Sequence, residues 1–286
     1  MAAIVPTHRE RIAMPELPDL EVARTLLAQH VVGLTVETVD VRRPIVVRNL
    51  LGGEIAGHLD GCRFVNVRRR GKYLLFALDD GCSLVVSPMA AGRVYYRDPP
   101  SRRAARDVLV LGLSNGRELC YHDSRLMGKI YLTDDLNRVP TFSTLGPEAT
   151  DPALTLEDFR ARLRRERGEL KQVLSRQSFV AGIGSTYADE ILWQAGLYPF
   201  RQRASLTDEE MARLYTAMGE VLDAAIERTR AHVGEEVDLE AHVGLSVHGR
   251  AGEPCPRCGG TISEVKHARQ FTHFCRTCQP GLLLST

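Results

Sequence analysis

Two groups of residues in this sequence have types and spacing suited to chemistry. The first is Met14-Pro15-Glu16-Leu17-Pro18-Asp19-Leu20-Glu21, which sets a proline beside an acid just after a methionine able to start translation. An N-terminal proline is a secondary amine, a nucleophile toward sugar carbons, and a neighbouring carboxyl can supply or remove protons. The second group is Cys255-x2-Cys258 and Cys275-x2-Cys278, separated by sixteen residues. That spacing predicts a four-thiolate zinc site, structural because four thiolates leave no open position for water.

These groups sit at opposite ends of a chain whose elements must bring them together. After Pro18, Leu20, Ala23, Leu27 and Val31 recur at helical spacing, predicting a helix to about His30 that stops before Gly33. Short β-branched or apolar runs follow at 36–41, 64–67, 73–78, 83–86, 94–96, 108–113, 118–121 and 130–132. Turns such as Asp79-Asp80-Gly81 and Asn115-Gly116 separate them. Many short strands at regular spacing predict a β-sandwich or barrel. At Leu145-Gly146-Pro147-Glu148 the alternation gives way to helical periodicity. Capping boxes are expected at Thr155 and Thr207, the second opening a helix with Met211, Leu214, Tyr215, Met218 and Leu222 on one face. The expected organisation is therefore a leader over 1–13, a β-sandwich domain over 14–140, a helical domain over 145–248 and a zinc finger over 249–282. The fold class is α+β and multidomain.

The composition is that of a soluble protein, with 44% hydrophobic and 26% charged residues in 286. The opening residues are too short and too charged for a signal peptide, and no stretch reads as membrane-spanning. Seven cysteines, four in metal spacing, do not make a disulfide framework and fit a cytosolic location. A net charge of +1 is no strong nucleic-acid footprint, but Arg68–Lys72, Arg162–Lys171 and Arg250–Arg276 are basic runs that net charge conceals. Taken singly, each such run also reads as a solvated face.

Met14-Pro15-Glu16-Leu17-Pro18, Arg68-Arg-Arg-Gly-Lys72-Tyr-Leu-Leu75, Val180-Ala-Gly-Ile-Gly184 with Tyr187-Ala-Asp-Glu190-Ile-Leu192, and the four-cysteine finger occur in one order. In that order they resemble the formamidopyrimidine-DNA glycosylases and their endonuclease VIII relatives, over about residues 14–280. The resemblance implies an N-terminal β-sandwich, a helix-two-turns-helix domain and a zinc finger, with damaged duplex DNA bound by a monomer across the cleft. It implies a bifunctional glycosylase and AP lyase acting on oxidised bases, with one structural Zn2+ as its cofactor. Pro15 would be the Schiff-base nucleophile, Glu16 the proton donor and shuttle, and Lys72 the lysine that grips the phosphate beside the lesion. Met89, Arg125 and Met127 would fill the gap left by the flipped nucleotide. Lys171, Ser185, Arg269 and Gln270 would complete the DNA contacts.

The sequence departs from that family in three respects. Pro15 is internal, and an internal proline nitrogen is an amide with neither proton nor nucleophilic lone pair. The working protein is therefore expected to begin at Met14 and to lose it. Val86, Ser185 and Gln270 replace a histidine, an asparagine and an arginine of the phosphate clamp, so DNA binding is expected to be weaker and less salt-dependent. The stretch 229–247 lacks the family's glycine- and threonine-rich base-covering start, so oxidised pyrimidines stand beside oxidised purines as substrates, although Arg125 favours purines opposite cytosine. A non-catalytic damaged-DNA-binding protein of the same fold is the alternative reading.

Overall fold

The pleat of the N-terminal half is set by alternation. In Gly92–Arg97 every second residue is buried, and the inward set packs against a facing sheet. The computed structural model describes residues 14–102, 104–233, 243–267 and 270–281. The leader expected over 1–13 and the expected contact Arg269 lie outside these residues.

Helix α1 (Leu17–Val31) is followed by strands β1 (Val36–Val41) and β2 (Val47–Asn49), helix α2 (Ile55–Leu59), and β3 (Phe64–Arg70) through β9. The latter run comprises β4 (Tyr73–Leu78), β5 (Ser83–Ser87), β6 (Gly92–Arg97), β7 (Asp107–Leu113), β8 (Glu118–Asp123) and β9 (Lys129–Thr133). They form a five-stranded sheet in the order β2-β9-β5-β4-β3 and a four-stranded sheet in the order β1-β7-β8-β6. Leu74, Phe76 and Leu84 from one sheet meet Val94, Leu109 and Leu111 from the other, and Leu20, Leu27 and Val31 of α1 close the same core. The sandwich expected from the spacing is present. Short β2, which pairs parallel to β9, and α2 were not expected, because elements of three and five residues carry no period.

A second apolar core belongs to helices α3 (Leu156–Arg165), α4 (Leu170–Leu174), α5 (Ser185–Ala195) and α6 (Asp208–Val233). Thr155 caps α3, its hydroxyl accepting from the Asp158 amide at 3.1 Å, and Thr207 and Glu210 exchange hydrogen bonds at the start of α6. Met211, Leu214, Met218 and Leu222 are buried on one face of α6, with Tyr215 packed against that core. The chain ends in the hairpin β10 (Ile262–His267) and β11 (Gln270–Cys275). No described helix is long and apolar enough to cross a membrane.

One of the basic runs serves to join these parts, and a second braces the helical half. The Arg69 side chain is 5% exposed and bonds both Glu21 of α1, at 2.9 Å, and Glu148; Arg70 reaches Glu148 at 2.7 Å and the Gly146 carbonyl at 2.7 Å. Arg162 donates to the carbonyls of Phe179 and Ser178, at 3.0 and 2.7 Å. Arg69 and Arg70 thereby clasp the helical half to the sandwich, whereas Arg162 braces the helical half within itself.

Candidate active site and nucleic-acid interface

Helix α1 begins with Glu16 at its cap, where Asp19, fully buried, takes the Glu16 amide at 2.8 Å. The Glu16 side chain completes a capping box with the Asp19 amide of its own helix and also reaches the N-terminus of α5. There its carboxylate accepts from the amides of Gly184 (2.6 Å), Thr186 (3.1 Å) and Tyr187 (3.3 Å). The orphan donors of a helix N-terminus are suited to a negative charge. Lys72 adds its ammonium, with Nζ 4.0 Å from Glu16 Oε1. Glu16 is 2% exposed, so the carboxyl is removed from bulk water yet lines a cavity of about 370 Å³ together with Met14, Lys72, Ser185, Gln270 and Phe271.

Two glycines make this approach possible. Gly182 has φ +101°, and its carbonyl accepts from the Leu17 amide at 3.0 Å. Gly184 has ordinary extended backbone, but a methyl there would overlap both Lys72 Nζ and the Glu16 carboxylate.

Pro15 is buried and Met14 rather than Pro15 lines the cavity. In this chain its nitrogen is acylated by Met14, so the cavity holds an acid and an ammonium beside an amide that cannot attack.

The expected wedge residues share one end of the sandwich for a reason of register. Ser87, the last residue of β5, pairs with Lys129, the first of β9, and Gly92, the first of β6, pairs with Asp123, the last of β8. The turn carrying Met89 and the turn carrying Arg125 and Met127 therefore cross between the sheets side by side. Because Leu74 pairs with Val86, Lys72 leaves the sheet at that same end. Met89 is 38% and Met127 47% exposed, and Arg125 is exposed. Asp123, fully buried, organises the second turn by accepting from the amides of Arg125, Leu126 and Gly128. Burial and the adjacent Asp123 push the Tyr121 phenol up, so it stays protonated and donates to Asp123 at 3.4 Å. Met89 and Leu126 hold left-handed φ angles of 49° and 55°. Non-glycine residues keep such angles where the surroundings over-determine them, commonly at binding sites.

Lys171 corrects the expectation placed on it. It is 3% exposed, its Nζ lies 2.7 Å from Asp189 Oδ1 and it donates to the Phe271 carbonyl at 2.6 Å. It cannot meet a phosphate; it ties the finger hairpin to α5. Burial pushes its ammonium pKa down against the pull of Asp189. Asp189 stays below the usual carboxylate range because hydrogen bonds from His248 and His273, with the Lys171 charge, outweigh its burial. Val86 is likewise a core residue of β5 and offers nothing polar where the resemblance places a clamp histidine. Sequence reading missed the roles of Asp19 and Asp123, which bond amides within five residues, and the Asp189–His248–His273 cluster, whose members only the fold brings near.

Cys255, Cys258, Cys275 and Cys278 place their sulfurs within 4.8 Å of one another, the nearest pairs at 3.4 and 3.8 Å. Tetrahedral Zn–S bonds of about 2.3 Å put thiolates about 3.8 Å apart, so the donor set fits such an ion. Burial and the other three sulfurs push the Cys278 thiol up to about 12.

Comparison with known proteins agrees with this geometry along the chain. Residues 14–130 match the formamidopyrimidine-DNA glycosylase N-terminal domain, 145–236 the H2TH domain of the same proteins, and 252–281 a zinc finger found in FPG and IleRS. The formamidopyrimidine-DNA glycosylase of Heliobacterium modesticaldum is 40% identical over 93% of this chain and 100% of its own. That of Thermus thermophilus is 38% identical over 93% and 98%. Among solved structures, a complex between Lactococcus lactis Fpg and an abasic site containing DNA superposes with TM-score 0.85 at 30% identity, covering 93% of this chain and 100% of the other. The MutM (FPG) protein from Thermus thermophilus gives TM-score 0.81 at 36% identity, over 93% and 98%.

Proposed function

The chain belongs to the family of formamidopyrimidine-DNA glycosylases, DNA glycosylases with AP lyase activity, and from that premise we propose that it excises oxidised bases from duplex DNA in base-excision repair. Oxidised purines such as 8-oxoguanine and formamidopyrimidines opposite cytosine are the preferred substrates. The observation that carries this reading is the Glu16 carboxyl, held by three α5 amides with Lys72 at 4.0 Å, on the wall of a cavity.

In the active form Pro15 is the first residue. Its secondary amine attacks C1′ of the flipped nucleotide; the glycosidic bond breaks and its electron pair leaves with the base. Glu16 protonates the opening sugar oxygen, giving an iminium that draws electrons during β- and then δ-elimination. Lys72 holds the neighbouring phosphate, with Ser185 and Gln270 as neutral donors on the same cavity. Met89, Arg125 and Met127 occupy the vacated stack, methionine serving as a flexible apolar wedge. Free amine, acid and phosphate grip would then surround one sugar.

Replacing Glu16 tests the chemistry. In protein beginning at Pro15, Glu16→Gln is expected to lower release of 8-oxoguanine by about 10²–10⁴-fold, the usual contribution of a positioned acid, while affinity for a duplex with a tetrahydrofuran abasic analogue stays within a few-fold. Base release at the parental rate would overturn the assignment. Running the same assay on an oxidised pyrimidine decides the preference.

One structural zinc, held by Cys255, Cys258, Cys275 and Cys278, anchors the hairpin that bears Gln270 and Phe271. Chelation is expected to abolish DNA binding with loss of the hairpin's order, and stoichiometric zinc to restore it; binding unaffected by complete metal removal, checked by elemental analysis, would count against this role. All seven cysteines are unbridged, which suits a cytoplasmic enzyme.

A further inference from the structure

The chain has a single tryptophan, Trp193, in the last turn of α5, and none of the chemistry proposed above uses it. An indole is mostly apolar but carries one N–H donor, which takes an acceptor when it is buried. The apolar body of Trp193 packs against the core of the finger, formed by Val247, Cys255, Ile262 and Cys275, with Cys278 beside it. Its Nε1 is buried, and no oxygen or nitrogen among the described residues accepts from it. The donor is therefore aimed into a part of the protein whose only other polar atoms of note are sulfurs.

The ring is also held in one orientation. Arg257, which lies between Cys255 and Cys258, stacks its guanidinium carbon 4.2 Å from the ring centroid. Its Nη1 and Nη2 donate to the Trp193 carbonyl and to Gln194 Oε1, each at 3.0 Å. The acceptor that the fixed indole N–H faces is the Cys255 sulfur, which the backbone at Arg257 and Cys258 also serves with hydrogen bonds. Cys255 is 2% exposed, so water cannot take the place of these donors. Four thiolates around a divalent ion keep a net negative charge, and N–H groups aimed at the sulfurs disperse it.

We propose that the Trp193 indole N–H donates to the Cys255 thiolate, which makes this tryptophan a positioning residue of the metal centre and tightens its hold on zinc. The inference rests on the structural-zinc reading. It gives α5 a task at each end, because its first amides hold the Glu16 carboxylate and its last turn holds a zinc ligand. The metal centre and the proposed acid are thus fastened to one helix of 11 residues.

The test compares the full chain with Trp193→Phe, which keeps an aromatic body but removes the donor. Competition with a chromophoric chelator is expected to show zinc held about 10–100-fold more weakly by the variant, the usual cost of losing an outer-shell partner. In Co2+-loaded protein the thiolate-to-metal charge-transfer band is expected to move to longer wavelength, because a thiolate that accepts one hydrogen bond fewer gives up its electrons more easily. Arg257→Met, which strips the stacked cation but keeps the N–H, is expected to leave the band in place. Parental zinc affinity in Trp193→Phe overturns the proposal, as does a weaker affinity with an unmoved band, which would reduce Trp193 to packing. Should Trp193→Phe fail to fold, the one 15N-indole resonance of 113Cd-loaded parent decides. Splitting of the N–H proton by the metal supports the bond to sulfur, and an unsplit proton overturns it. A parent that retains no zinc overturns the zinc reading itself.

Discussion

Protein beginning at Pro15 should be trapped covalently on an abasic duplex by borohydride, and the 286-residue chain should not. The reasoning is electronic. An amide nitrogen shares its lone pair with the carbonyl and has no path to an iminium, whereas a free secondary amine forms one on meeting an aldehyde carbon. The structure adds a steric part, because Met14 lines the cavity beside Glu16 and Lys72, where the sugar must enter. Pro15→Gly in the trimmed protein exchanges a secondary for a primary amine and should retain reduced trapping. Trapping of the untrimmed chain, with its N-terminus verified by intact mass, would remove Pro15 as the nucleophile. Absence of trapping in every form, with binding preserved, would favour a damaged-DNA-binding protein without turnover.

Gly184→Ala is expected to cost at least about 10²-fold in base release with little change in overall folding, the loss associated with displacing catalytic groups by about 1 Å. Backbone strain does not enter, since Gly184 sits at φ −124° and ψ −157°, open to any residue. What an alanine methyl meets is the proposed catalytic pair, Lys72 Nζ and Glu16 Oε1. One of them must move, breaking either the amide cradle or the ammonium contact. Gly219→Ala is a suitable comparison, because a methyl there meets nothing within 4 Å. Equal activity of the two variants would show that the carboxyl and ammonium do not need their observed separation.

How much of this was legible in the sequence depended on how local each signal was. Strands such as β1 and β4 stood out because a short β-branched or apolar run and its flanking turns lie within a few residues of each other. The caps at Thr155 and Thr207 were visible for the same reason. Arg69 and Arg70 misled because their partner, Glu148, lies 79 and 78 residues away, and a basic run looks the same whether it faces DNA or a carboxylate inside the protein. Lys171 misled likewise, its charge being answered by Asp189 and by a carbonyl of the hairpin. The wedge positions were legible only through family resemblance; their physical basis, the register that aligns two crossing turns, exists only in the folded sheets.

The cradle of Glu16 also orders events in time. The carboxyl comes from the start of the chain, but the amides that hold it belong to Gly184, Thr186 and Tyr187, made more than a hundred and sixty residues later. A ribosome-bound fragment already contains the acid and the lysine, yet it has no receptor for the acid. The proposed acid thus gains its receptor only once the later half has been synthesised and docked, so the site is assembled last although its acid is made first.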